Sequence, residues 1–145
     1  MRVFETLDEL SALVGQHVAV SDWITVPQQQ INLFAEATGD HQWIHVDVER
    51  AKAGPFGAPI AHGFLTLSLL PKLFEAALKV EQARMGVNYG LNKVRFITPV
   101  PAGSRLRGHL KLLSSEPIDG NGVQQVWETS VELEGHAKPA CVAES

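Results

Sequence analysis

His62-Gly63-Phe64-Leu65-Thr66-Leu67-Ser68-Leu69-Leu70-Pro71-Lys72-Leu73-Phe74-Glu75-Ala76-Ala77-Leu78 is the stretch on which the fold turns. Wound as a helix, its apolar residues point in almost every direction, so the helix must be surrounded by protein rather than lie on a surface. Pro71 inside it is expected to cost about 3 kcal/mol and bend it, unless packing offsets this. Thr66, Ser68, Pro71, Lys72 and Glu75 interrupt the run, so it is not a bilayer span.

The chain beyond this helix reads as strands. Asn88 to Val100 carries Val94, Phe96 and Val100. Arg105 to Ser115 puts Leu106, Leu110 and Leu112 on one face and Arg105, Arg107, His109 and Lys111 on the other. That second face is a solvated basic surface by default, or one that could meet phosphates. Ile118-Asp119-Gly120-Asn121-Gly122 is a hairpin turn, because its glycines accept positive φ. Val123 to Leu133 alternates, and Lys138 to Ala143 makes a last short strand. Tight connections between successive strands imply an antiparallel sheet. The fold class is therefore α+β, a sheet of about five strands curled around one helix. One side of the helix and one sheet edge need cover, which a second copy in a homodimer would supply.

Working back toward the N-terminus, Thr6 to Leu10 is a short helix with Thr6 and Glu9 as a capping box, ended by Gly15. Gln16 to Val26 reads as the first strand. Pro27 suits the first turn of a helix over Gln28–Thr38, whose Ile31, Phe34, Ala35 and Thr38 share a face, and Gly39 stops it. Val48 to Ala53 forms another short helix, and Gly54-Pro55-Phe56-Gly57-Ala58-Pro59 is irregular. Trp43, Phe56 and Trp127 read as core or pocket walls.

Between these helices lies Thr38-Gly39-Asp40-His41-Gln42-Trp43-Ile44-His45-Val46-Asp47. A loop here can bring Asp40 and His45 to one point, where a carboxylate and a largely neutral imidazole would share a water. Spacing alone favours the structural reading, in which Asp40 caps the following turn and His45 is a satisfied, partly buried histidine. A metal set would draw on His41, His45 and Asp47, but no cysteine cluster or His-Glu-x-x-His helix accompanies them, so none is assigned. At Ala61-His62-Gly63 the unpaired N–H groups of a helix start could form an oxyanion hole, or Gly63 could simply permit close packing. His62 reads as a polar contact at that helix start rather than as a second base.

At 145 residues the chain fits one domain, residues 1–145, with 45% apolar and 19% charged residues. A net charge of −4 with no basic stripe excludes nucleic acid as a natural partner. Cys141 is the only cysteine, so no internal disulfide framework exists and a reducing cytoplasm fits. The opening Met1-Arg2-Val3-Phe4-Glu5 lacks a signal peptide's apolar core.

Phe34-Ala35-x-x-Thr38-Gly39-Asp40-x-x-x-x-His45-x-Asp47, then Ala51, then Ile60-Ala61-His62-Gly63, resembles the MaoC-like (R)-specific enoyl-CoA hydratases, in the branch with nodulation protein N-like dehydratases. The resemblance covers essentially the whole chain. It implies the hot-dog fold, usually dimeric, and hydration of a trans-2-enoyl-CoA to an (R)-3-hydroxyacyl-CoA or the reverse. It further implies that Asp40 and His45 bind and activate the water, that Gly63 holds the thioester oxygen, and that His62, Gln42 and Trp43 border the substrate. No cofactor is implied. Many members carry Asn-Pro where this chain has Gln42-Trp43, which alters the wall beside the catalytic loop. A thioesterase on the same fold, or a non-catalytic acyl-thioester-binding subunit, are the alternatives.

Overall fold

The computed structural model describes residues 1–145. In chain order the elements are β1 (Arg2–Phe4), α1 (Leu7–Ser11), β2 (His17–Val20), β3 (Ile24–Val26), α2 (Gln28–Thr38), α3 (Trp43–Val46) and α4 (Val48–Lys52). Then come α5 (Gly63–Ser68), α6 (Leu70–Ala77), β4 (Leu78–Val80), β5 (Lys93–Phe96), β6 (Ser104–Ile118), β7 (Gly122–Leu133) and β8 (Cys141–Glu144). Six strands make one antiparallel sheet in the order β2-β6-β7-β8-β5, with β3 also paired to β6. The long β6–β7 hairpin is its spine, and Gly120 and Asn121 take positive φ in the turn, as the residues there require.

The α5–α6 segment lies against the inner face of this sheet. Leu65, Leu69, Leu70 and Leu73 pack with Leu106, Val131, Leu133, Cys141 and Ala143 in the larger core. Leu110, Leu112 and Trp127 join Phe4, Leu10 and Ala77 in a second. Leu73 is fully buried, a contribution of about 1.5–3 kcal/mol for one such side chain. It can sit this deep because β6 presents Gly108 beneath it: a Cβ there would lie only 3.2 Å from the Leu73 Cβ.

Several expectations are corrected. The helix over Phe64–Leu78 is two helices hinged at Leu69, with Pro71 in the first turn of α6. A missing N–H costs nothing at that position, so the expected penalty does not arise. Within the single chain one side of the helix is open, as expected, with Phe64 68% exposed. The single strand over Gln16–Val26 is broken at Ser21-Asp22-Trp23. The break is offset by Ser21, whose N–H donates to the Gly108 carbonyl at 2.9 Å while its Oγ accepts from the Gly108 N–H at 2.8 Å. One buried serine thus covers both polar groups that a continuous strand would have paired. The strand over Asn88–Val100 shrinks to β5, and the last strand begins at Cys141 rather than Lys138. β1 and β4 form an unanticipated parallel pair.

The basic face of β6 is not free. Arg107 and His109 both bond Glu132 at 2.6 Å, and Arg105 pairs with Glu134. Arg107, then His109, hold the Glu132 carboxyl below its usual range. Glu132 of β7 and Glu134 just beyond it therefore supply counter-charge to three of the four basic residues, Arg105, Arg107 and His109.

Candidate active site

α2 ends at Gly39, which takes φ 81° as a left-handed C-cap and turns the chain outward. Asp40 follows at the surface, and its Oδ1 accepts the Gln42 N–H at 3.3 Å. This small turn starts α3, which carries His45 inward until it is 6% exposed. Two contacts pin it. The Gln28 side-chain amide donates to the His45 carbonyl at 2.7 Å, and His45 Nδ1 lies 2.7 Å from the Ile60 carbonyl oxygen. Because a carbonyl only accepts, Nδ1 carries the hydrogen and Nε2 keeps a free lone pair. Burial lowers the His45 pKa. The Ile60 carbonyl opposes that shift, His62 adds to it, and Asp40 pulls the other way.

His62 arrives from the start of α5. It is 2% exposed, its ring stacks on His45 with centroids 3.8 Å apart, and its Nε2 lies 2.9 Å from the backbone oxygen of Asp40. Ligand atoms of Asp40, His45 and His62 all fall within 4.8 Å of one another. Asp40 and His45 therefore meet as expected. The structural reading of both also holds, because one atom of each is spent on the fold: Oδ1 on the turn, Nδ1 on Ile60. The second carboxylate oxygen and Nε2 are the atoms left for chemistry.

Gly63 follows His62 directly, and a Cβ on it would meet the Phe96 ring at 2.9 Å. Close packing is thus one sufficient reason for glycine, and it leaves the first N–H groups of α5 without intrahelical partners. Gln42 is the N-cap residue of α3, next to Asp40 in the turn. Trp43 lies under the Arg50 guanidinium at 4.3 Å and against Gly54, clamping α3 to α4.

The metal set read from the sequence does not form. His41 turns to Glu36 at 3.6 Å, and Asp47 caps α4 by accepting from the Arg50 N–H at 3.1 Å, so His41, His45 and Asp47 do not converge. The groups that do come together are Asp40, His45 and His62, three ligand atoms within 4.8 Å with the two imidazoles stacked at 23°. Burial pushes the Cys141 thiol up to about 11, which removes it as a nucleophile. His62 is a polar contact at the helix start, as read from the sequence, but its partners, the Asp40 carbonyl and the His45 ring, are not foreseen there. The available signal was a histidine leading into an apolar helix, where a polar side chain has to be buried.

A helix held in a curved antiparallel sheet, with Asp40 and His45 gathered beside its N-cap residue His62, defines a hot-dog domain. The MaoC like domain matches residues 9–133, so the chain belongs to the MaoC-like dehydratase family. It is 57% identical to 3-hydroxyacyl-thioester dehydratase Z of Mycobacterium tuberculosis, over 100% of this chain and 96% of that protein. It is 47% identical to Nodulation protein N of Rhizobium meliloti, over 95% of this chain and 87% of the relative. Among solved structures, the (R)-hydratase of Pseudomonas aeruginosa superposes with a TM-score of 0.70 at 26% identity, covering 90% of this chain and 77% of that one.

Proposed function

We propose that the chain is a cytoplasmic enzyme that adds water to a trans-2-enoyl-CoA to give an (R)-3-hydroxyacyl-CoA, and catalyses the reverse dehydration. The observation that carries this reading is the meeting of the Asp40 and His45 side chains within 4.8 Å, with Oδ1 of one and Nδ1 of the other already held by the Gln42 N–H and the Ile60 carbonyl. A water between them has an acceptor for each hydrogen. As its oxygen bonds to C3, the C2–C3 π electrons move toward the thioester, one member of the pair takes the water's proton, and a proton is returned to C2. The Gly63 N–H meets the charge that builds on the thioester oxygen. His62, Gln42 and Trp43 border the substrate around this centre. The thioester itself acidifies C2, so the reaction needs no metal or redox cofactor.

The 57%-identical relative is named a 3-hydroxyacyl-thioester dehydratase, which supports the same bond being made and broken here. The test is purified protein with crotonyl-CoA and longer trans-2-enoyl-CoA thioesters, followed by loss of enoyl absorbance and by the chirality of the product. Thiol release from saturated acyl-CoA without enoyl consumption would instead make it a thioesterase, and acyl-CoA binding without any turnover would make it a binding subunit.

The same proposal includes a homodimer. Met85, Val87 and Tyr89 are 84%, 78% and 87% exposed, and they lead into the free-edged strand β5, where Phe96 and Ile97 are exposed beside Phe64. Apolar surface of this kind beside an open strand edge is a place for another chain. Sedimentation should give twice the chain mass, and a monomer at micromolar concentration would rule the dimer out.

A further inference from the structure

We infer that His62 is a positioning residue: through Nε2 it anchors the backbone of Asp40, and through its ring it fixes the plane of His45, so one side chain sets the relative placement of both members of the pair. This rests on the proposed roles of Asp40 and His45, but not on the identity of their substrate.

The geometry is asymmetric in an informative way. Nε2 is 2.9 Å from the Asp40 carbonyl oxygen, which can only accept, so in the neutral ring that nitrogen carries the hydrogen. Nδ1 is buried and has no partner. An unpaired buried polar atom is costly, so a side chain chosen only to fill this space would be apolar. Histidine is present where its donor reaches a residue 22 positions earlier in the chain. Phe34 of α2 also lies against this imidazole, with ring centroids 4.9 Å apart.

The loop after α2 needs such an anchor. Asp40 is exposed, and its own amide reaches Thr38 Oγ1 only at 3.5 Å, so the His62 bond is the one that ties this loop to the buried helix. The titratable groups facing the His45 ring are His62 from α5 and Asp40 from the loop. α2 offers it the neutral Gln28, and the segment before α5 offers the Ile60 carbonyl. His62 therefore also disfavours the charged form of His45, in the same direction as burial.

Two substitutions separate these contributions. His62→Phe keeps the stacked ring and loses the donor. His62→Gln keeps a donor near the Nε2 position and loses the ring. His62→Phe should lower kcat by about 10²-fold with KM little changed, because misplacing a reacting group by around 1 Å costs that much. His62→Gln, which restores the donor but not the ring, should recover only part of that loss, and its His45 ring, followed by NMR, should titrate at a higher pH than in the wild type. The wild-type ring spectrum should show the Nδ1–H tautomer for His45 and Nε2–H for His62. Wild-type kcat in both variants with an unmoved His45 titration would overturn the inference and leave His62 as packing. If the wild type hydrates no enoyl thioester while the tautomers and the His45 shift are as stated, the hydratase reading fails and the positioning role stands.

Discussion

Asp40→Asn should lower kcat for enoyl-thioester hydration by about 10²–10⁴-fold, the worth of one positioned acid–base group, with the unfolding midpoint unchanged. The separation of activity from stability comes from how Asp40 is used. Its Oδ1 accepts the Gln42 N–H at 3.3 Å, a bond that an amide oxygen makes equally well. Its backbone carbonyl, which holds His62, is untouched by the substitution. Asp40 is exposed, so no buried charge is stranded. Only the negative charge and the second acceptor oxygen disappear, the parts that can hold and orient a water beside His45 Nε2. Stopped assays of enoyl absorbance, run beside thermal unfolding of the same samples, check both halves. An Asn variant that turns over at the wild-type rate would remove Asp40 from the reaction.

The site and the fold are legible in the sequence to different depths. α2 is readable end to end, because Ile31 and Ala35 repeat at the helical period and Gly39 can take the left-handed cap. The β6–β7 hairpin is readable from alternation and from Asp119-Gly120-Asn121. The break at Ser21 is not, since Val20, Ile24 and Val26 keep an alternating look while the interruption is repaired by a hydroxyl against Gly108, 87 residues away. The three-residue strands β1 and β4 are too short to carry a period and exist through their mutual pairing. The hinge at Leu69 is hidden because the apolar run continues through it, so Pro71 looks internal to one helix although it sits in the first turn of another. At the site, Asp40 and His45 are close in sequence and so visible. The contribution of His62 depends on a ring stack and a bond to a backbone oxygen, neither of which leaves a spacing signature. The family resemblance places His62 beside the substrate, and only the fold supplies its contacts.

His45→Asn should cost a similar factor, about 10²–10⁴ in kcat, and the Asp40→Asn/His45→Asn double variant should be scarcely slower than either single one. Asparagine is the informative choice because its amide can take the place of Nδ1–H and still donate to the Ile60 carbonyl, which His45 now reaches at 2.7 Å. The tie between α3 and the segment leading to α5 survives, and only the Nε2 lone pair is lost. Non-additivity is expected if the two side chains share one water, since removing either already leaves that water unheld. A double variant slower by the product of the two losses would mean that they act in separate steps. The pH dependence gives an independent check. Burial, reinforced by His62, lowers the His45 pKa from its ordinary 6.5, so the ring stays neutral and able to accept a proton below that pH. The acid limb of wild-type kcat/KM should therefore lie below 6.5, and the residual rate of His45→Asn should lack that limb. Stability moves with the same group: as pH falls from 6.5 toward the lowered value, the unfolded chain binds a proton that the folded one refuses, so wild-type stability declines through that window. The asparagine variant, with nothing to titrate there, should lose less stability over the same interval.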